Sequence, residues 1–214
     1  SDVYKRQTMN KKLFLILVTL LLAACSANQS ALSPTPSGAA AFPLTLEDDS
    51  GVRVTLKAEP ARIVSLAPNH TETLFALGLG ERVAGVTQYC NYPAEAASKP
   101  KVGGYADVNL EQVVALQPDL VLASTLHLAQ VVPALRERGI TVFVAEPTSV
   151  LDTLDTIITI GRLTGKEAEA KTLTAQMRSR IDAVQARVKN APRLKVFWEL
   201  GAELYTAGPG SFIN

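Results

Sequence analysis

Four short runs rich in β-branched and aliphatic residues set the terms for this chain: Arg62–Leu66, Arg82–Val86, Asp119–Ala123 and Thr141–Ala145. Their centres (Ile63-Val64, Val83, Leu120-Val121-Leu122, Val142-Phe143-Val144) are apolar without interruption, as parallel strands covered on both faces require. Helical signals separate them. Asn69 with Glu72 three residues on predicts an N-cap, and Gly78 a stop. Asn109 opens a helix that ends near Leu116, ahead of Pro118. Leu128–Arg138 ends at Gly139, with a kink expected at Pro133, and Ser149 with Asp152 opens a helix to about Leu163. Such alternation predicts an open α/β layer with right-handed crossovers, whose ligands meet the carboxyl ends of the strands. Ahead of it, Phe42 to Leu56 alternates around Asp48-Asp49-Ser50-Gly51 and reads as a β-hairpin.

Lys166 to Lys189 carries a single apolar stripe, Leu173, Met177, Ile181, Val184 and Val188. That spacing predicts a helix roughly 36 Å long. Glu167 and Glu169 stand at its start and Arg187 and Lys189 at its end, as the helix dipole favours. After Pro192 come an expected strand, Leu194–Leu200, another at Leu204–Ala207, and a turn with a helix cap at Gly208–Ser211. A stiff helix leading from one α/β unit into further strands predicts a spacer between two lobes. The fold class expected is therefore α/β, two Rossmann-like lobes joined by a long rigid helix, with the second lobe only partly present.

The N-terminal part reads as an address. Met9-Asn10-Lys11-Lys12 precedes Leu13 to Ala24, which is apolar except for Thr19. This run is shorter than the ~20 residues a membrane-spanning helix needs, and its basic start and small-residue end describe a signal peptide. The domain organisation expected is a non-native leader over 1–8, a signal peptide over 9–24, and an anchor with a Ser/Pro/Ala-rich tether over 25–41. A first lobe over 42–165, a linking helix over 166–190 and the start of a truncated second lobe over 191–214 follow. Residues 1–24 hold Lys5, Arg6, Lys11, Lys12 and Asp2, so their removal turns a formal charge of +1 into about −2. A slightly acidic exported chain lacks the basic patch that nucleic acid demands. The two cysteines are Cys25 and Cys90; Cys90 is expected as a half-buried loop thiol, and the lipidation of Cys25 that the resemblance below implies leaves it no partner for an internal disulfide.

Leu22-Ala23-Ala24-Cys25 resembles the lipobox of bacterial lipoproteins, which implies lipidation at Cys25. Arg62-Ile-Val-Ser-Leu-Ala-Pro-Asn-His-Thr-Glu72, Leu74–Gly78, Val102-Gly103-Gly104-Tyr105, Leu116–Val121 and Tyr205–Phe212 resemble the substrate-binding proteins of bacterial ABC importers. The subclass has two α/β lobes joined by one rigid helix and takes up cobalamin, ferric siderophores or haem. Gln88-Tyr89-Cys90-Asn91-Tyr92-Pro93 followed by Val102–Tyr105 is most similar to its cobalamin-type binders. That resemblance implies Tyr105 against a corrin ring, with Tyr89 and Tyr92 as companions. Being tyrosine rather than tryptophan, Tyr105 leaves ferric siderophores and haem open as alternative ligands. It also implies that Glu111 docks on arginines of the membrane permease.

Strand ends and the second lobe supply the other ligand-binding candidates: Asn69, His70, His127, Glu146, Trp198 and Phe212. The partners expected are a permease with its ATPase, a small molecule and, through the lipid, a membrane; the receptor is expected as a monomer with no resident cofactor, its cargo carrying any metal. An enzyme on the same layout finds no support in motifs: Gly78-Leu79-Gly80 lacks a third glycine and ends a helix, and no nucleophile elbow, Walker loop or Cys-x-x-Cys occurs. Two histidines are few for a receptor of bare zinc or manganese. A structural or adhesive lipoprotein is the third alternative.

Overall fold

The two edges of the central sheet are both closed by polar backbone contacts, and this closure shapes the site above it. A computed structural model describes residues 41–201 and 205–206, all of which fall in one unit, Gly38–Asn214. Strands β1 (Leu44–Glu47) and β2 (Arg53–Leu56) form the expected antiparallel hairpin, with Leu44 opposite Leu56 and Glu47 opposite Arg53. Strands β3 (Ile63–Ser65), β4 (Val83–Val86), β5 (Leu120–Ala123) and β6 (Val142–Val144) form a parallel sheet in the order β4-β3-β5-β6.

The apolar runs divide between the two faces with period two, as pleating dictates. Ile63, Leu120, Leu122, Phe143 and Ala145 enter one core, together with Val54 and Leu56 of the hairpin. Val64, Leu66, Val121, Ala123, Val142 and Val144 enter the other. The first face is covered by α1 (Pro68–Ala76) and α5 (Val150–Leu163), the second by α3 (Leu110–Ala115) and α4 (Val131–Glu137). A single turn, α2 (Ala94–Ala97), lies between β4 and α3.

Local signals hold where the cap is the only claim on the residue. The side chains of Asn109 and Ser149 accept from the backbone N–H of Gln112 and Asp152, both at 3.1 Å. Gly78 and Gly139 end their helices at φ of 74° and 75°. Asn69 does not cap: Pro68 occupies the first helical position, its ring already fixing a helical φ, so Ala67 becomes the cap residue and Asn69 lies inside α1. Nor does Pro133 kink a helix. A separate 3₁₀ turn, Thr125–His127, precedes α4, and Pro133 falls in its first turn, where no N–H is needed.

The long helix α6 spans Glu167–Val188. It crosses α5 closely at Gly161, where a Cβ would lie 2.5 Å from Cβ of the fully buried Ala170. Leu173 and Met177 pack against the core, while Val184 and Val188 are more than half exposed. Beyond it, the expected strand from Leu194 is bonded only over β7 (Glu199–Gly201), which pairs antiparallel with β8 (Tyr205–Thr206).

Edge closure comes from unlike devices. At β4, the stretch 100–103 runs alongside, with Val86 N–H on Pro100 O at 2.9 Å and Val102 N–H on Val86 O at 3.0 Å. At β6 the hairpin turn docks end-on. Asp49 N–H donates to Val144 O at 3.0 Å, Val144 N–H to Asp48 Oδ2 at 3.3 Å, and Arg136 to Val142 O at 3.2 Å. Asp48, with its side chain fully buried, also pairs with Arg136 at 2.7 Å and accepts from Ser50 and Val52. Burial pushes its carboxyl up, but the hydrogen bonds from Ser50, Val52 and Val144 outweigh that and hold it below the usual range.

Candidate functional site

Strand β4 follows β3 on one side and β5 lies on the other, so the connections diverge above the carboxyl ends of β3 and β5. A crevice forms at such a switch point. A cavity of about 660 Å³ opens there, lined by Pro68, Asn69, Tyr89, Tyr105, Ala106 and Asp107. Pro68 and Asn69 begin α1, Tyr89 lies in the loop after β4, and the rest form a tight loop before α3.

That loop depends on two glycines. Gly103 sits at φ 99°, where a side chain is strained, and a Cβ on Gly104 would collide with the Asp107 carboxylate. The chain therefore doubles back, Gly104 N–H donating to Asp107 O at 3.2 Å, and presents Tyr105 at its tip. Gln88 N–H bonds Gly103 O at 2.9 Å, tying this loop to the one that carries Tyr89.

Tyr105 is held on three sides. Its hydroxyl lies 2.9 Å from Ser124 Oγ, its carbonyl oxygen 2.8 Å from His127 Nε2, and its ring meets the imidazole edge-on at 5.4 Å between centroids. His127 is buried, and its Nδ1 accepts the Ser124 backbone N–H at 3.0 Å. Both ring nitrogens of His127 are thus engaged within the protein, one on the Ser124 backbone and one on Tyr105. Glu146 is a similar case: its carboxylate accepts from Thr125 N–H at 3.0 Å and Thr125 Oγ1 at 3.2 Å, and its own N–H donates to Asp49 at 2.6 Å. It joins the loops after β5 and β6.

His70 is also buried. Its Nε2 donates to Ala145 O at 3.0 Å, fastening α1 to the end of β6, while its Nδ1 has no partner. Burial pushes its pKa down to about 4, so the ring is neutral, the carbonyl contact and the nearby Glu146 charge only partly opposing the shift. His70 and Tyr92 face a different cavity of about 290 Å³, between α1, α5 and α6, rather than the one holding Tyr105; Asn69 borders both. Tyr92 is 67% exposed and Trp198 53%. Glu111 is exposed at the second residue of α3. Phe212 and Cys25 lie outside the described residues. Cys90, expected half-buried, is fully buried, with Thr71 and Thr87 hydroxyls 3.2 Å from its sulfur.

The structure brings together Asn69, Tyr89 and Tyr105 from the expected set, and adds Pro68, Ala106 and Asp107. Among the described residues of the lining, Asp107 is the only charged one. Its signal in the sequence is faint: a carboxylate three residues after a Gly-Gly pair, where a turn folds it back. Among the described residues no group of three His, Cys, Asp or Glu side chains is placed to hold a metal ion, and no helix is long and apolar enough to cross a membrane.

Comparison with known proteins gives three consistent results. A family described as periplasmic binding protein matches residues 63–214. Relatives include a cobalamin-binding protein of Halobacterium salinarum, 38% identical over 96% of this chain and 59% of its own length, and the ABC transporter substrate-binding lipoprotein YvrC of Bacillus subtilis, 37% identical over 94% and 67%. Among solved structures, a possible iron-binding (periplasmic solute-binding) protein of Staphylococcus epidermidis superposes with a TM-score of 0.63 at 32% identity, covering 73% of this chain and 64% of that one. The chain thus spans about 59% of the length of the first of these relatives.

Proposed function

The chain belongs to the periplasmic binding protein family, and from that premise we propose that it captures a corrinoid above β3 and β5 and delivers it to an ABC permease. The observation that carries the corrinoid is the cavity wall: two tyrosines, apolar carbons and one carboxylate, without Lys or Arg among its described lining residues. A corrin is a wide, largely apolar ring edged with neutral amides, which rigid aromatics and hydrogen-bond acceptors suit. Haem with its propionates, and ferric siderophores of the catecholate or carboxylate type, carry negative charge that calls for cations. The relative named as cobalamin-binding supports the same reading. A siderophore or haem is the second reading, favoured by the likeness to the possible iron-binding protein.

The receptor acts outside the cytoplasm as a monomer, held to a membrane by lipid on Cys25, and its role is binding rather than catalysis. Glu111, exposed and outside the cavity, is the acid offered to permease arginines. Titration with cyanocobalamin, a ferric hydroxamate and haemin, read by heat and by absorption bands, tests the assignment. Saturable binding of cyanocobalamin is expected; a response to either iron ligand with none to the corrinoid transfers the assignment. Glu111→Lys is expected to keep the affinity and impair uptake into cells.

A further inference from the structure

We propose that Ser124 and His127 are positioning residues that fix both the pose of Tyr105 and the polarity of its hydroxyl, so that Tyr105 offers the ligand a hydrogen-bond acceptor. This rests on the reading above only for what Tyr105 touches.

The backbone N–H of Ser124 can only donate, so His127 Nδ1, 3.0 Å away, accepts. A neutral ring then carries its proton on Nε2, and that proton goes to Tyr105 O at 2.8 Å. The tautomer is set by the backbone on both sides. Ser124 Oγ lies 3.1 Å from the same Nδ1 and 2.9 Å from the Tyr105 hydroxyl. Were the serine proton aimed at the tyrosine, an oxygen lone pair would confront the Nδ1 lone pair at close range. Aimed at Nδ1 instead, it leaves Oγ free to accept the tyrosine proton. The chain of donors therefore runs from Tyr105 through Ser124 to His127, and the Tyr105 oxygen turns lone pairs toward the cavity. The Asp107 carboxylate on the same wall is also an acceptor. Together they select a ligand whose rim donates, such as one edged with primary amides.

Ser124 and His127 do not line the cavity, and both are buried, so neither needs to touch the ligand to act. Their effect passes through one residue, which makes it separable. In the ligand-free protein, nitrogen-15 NMR is expected to show the His127 proton on Nε2, and His127→Gln, which retains one acceptor and one donor, to keep the Tyr105 ring signals that His127→Leu shifts. A proton on Nδ1 overturns the proposal. In cyanocobalamin titrations, Tyr105→Phe and Ser124→Ala are each expected to weaken binding by about 3- to 10-fold, the range of one hydrogen bond. The double variant should be no weaker than either single one; multiplied losses overturn the proposal. If the wild type binds no cyanocobalamin, the corrinoid reading fails, and the NMR arm still decides the positioning roles.

Discussion

Tyr105 and Tyr89 border one cavity from walls built on opposite terms. Tyr105 stands on a braced wall: Asp49 holds the Glu146 loop, Glu146 holds Thr125, and the next turn holds the tyrosine by carbonyl, ring and hydroxyl. Tyr89 is 56% exposed, on a loop secured through the backbone of Gln88. The side-chain freedom of Tyr105 is lost when the chain folds; that of Tyr89 survives folding and, on the function proposed above, is given up on binding at a cost of about 0.5–1.5 kcal/mol. On that proposal, one rigid and one adjustable aromatic would fix the register of a flat ring and still close on ligands of slightly different outline.

The severest way to break the braced wall is Asp48→Ala. It removes a carboxylate with no exposed side-chain surface and strands Arg136 and the Val144 N–H, so a loss of about 3–5 kcal/mol in denaturant unfolding is expected. Acid tests the same wall more gently. With its folded pKa lowered from 6.5 to about 4, His70 stays neutral in the native state while the unfolded chain takes up a proton. Its contribution is whole above pH 6.5 and drains away as pH falls toward 4, a loss on the order of a few kcal/mol. Asp48, also lowered, acts in a separate window: stability it supplies above its ordinary value of 3.8 is lost as pH falls through its folded pKa. Urea unfolding at stepped pH should show the first slope in the wild type and not in His70→Gln; a slope unchanged in the variant removes His70 from the account. The smallest effect belongs to the bare wall. Tyr89→Ala is expected to shift stability by less than about 0.5 kcal/mol while weakening cyanocobalamin binding, and a marked drop in melting temperature would erase the contrast between the walls.

The same contrast separates what could be read from residues alone from what could not. Strand cores were legible because a run such as Leu120-Val121-Leu122 has few other uses. Caps at Asn109 and Ser149 were legible because their partners are three residues away. The brace was not: Tyr105 and Ser124 are 19 positions apart, and nothing local in either marks the contact. Periodicity likewise named the apolar stripe of α6 but not its cover, so Met177 packs while Val188, in the same stripe, is exposed. The family resemblance groups Tyr92 with Tyr89, yet the turn between them sends them to different cavities.

The hairpin turn at β6 has a consequence for the company the molecule keeps. An unblocked edge strand offers its backbone to any other extended chain, and so seeds aggregation. Here Asp48, Asp49 and Arg136 already occupy Val142 O, Val144 N and Val144 O with charged or backbone partners. A second copy can add a strand only by prising out an ion pair whose carboxylate is buried. A turn that first looks like a support for the cavity wall is also a stopper, keeping neighbouring copies of the chain from joining sheet to sheet.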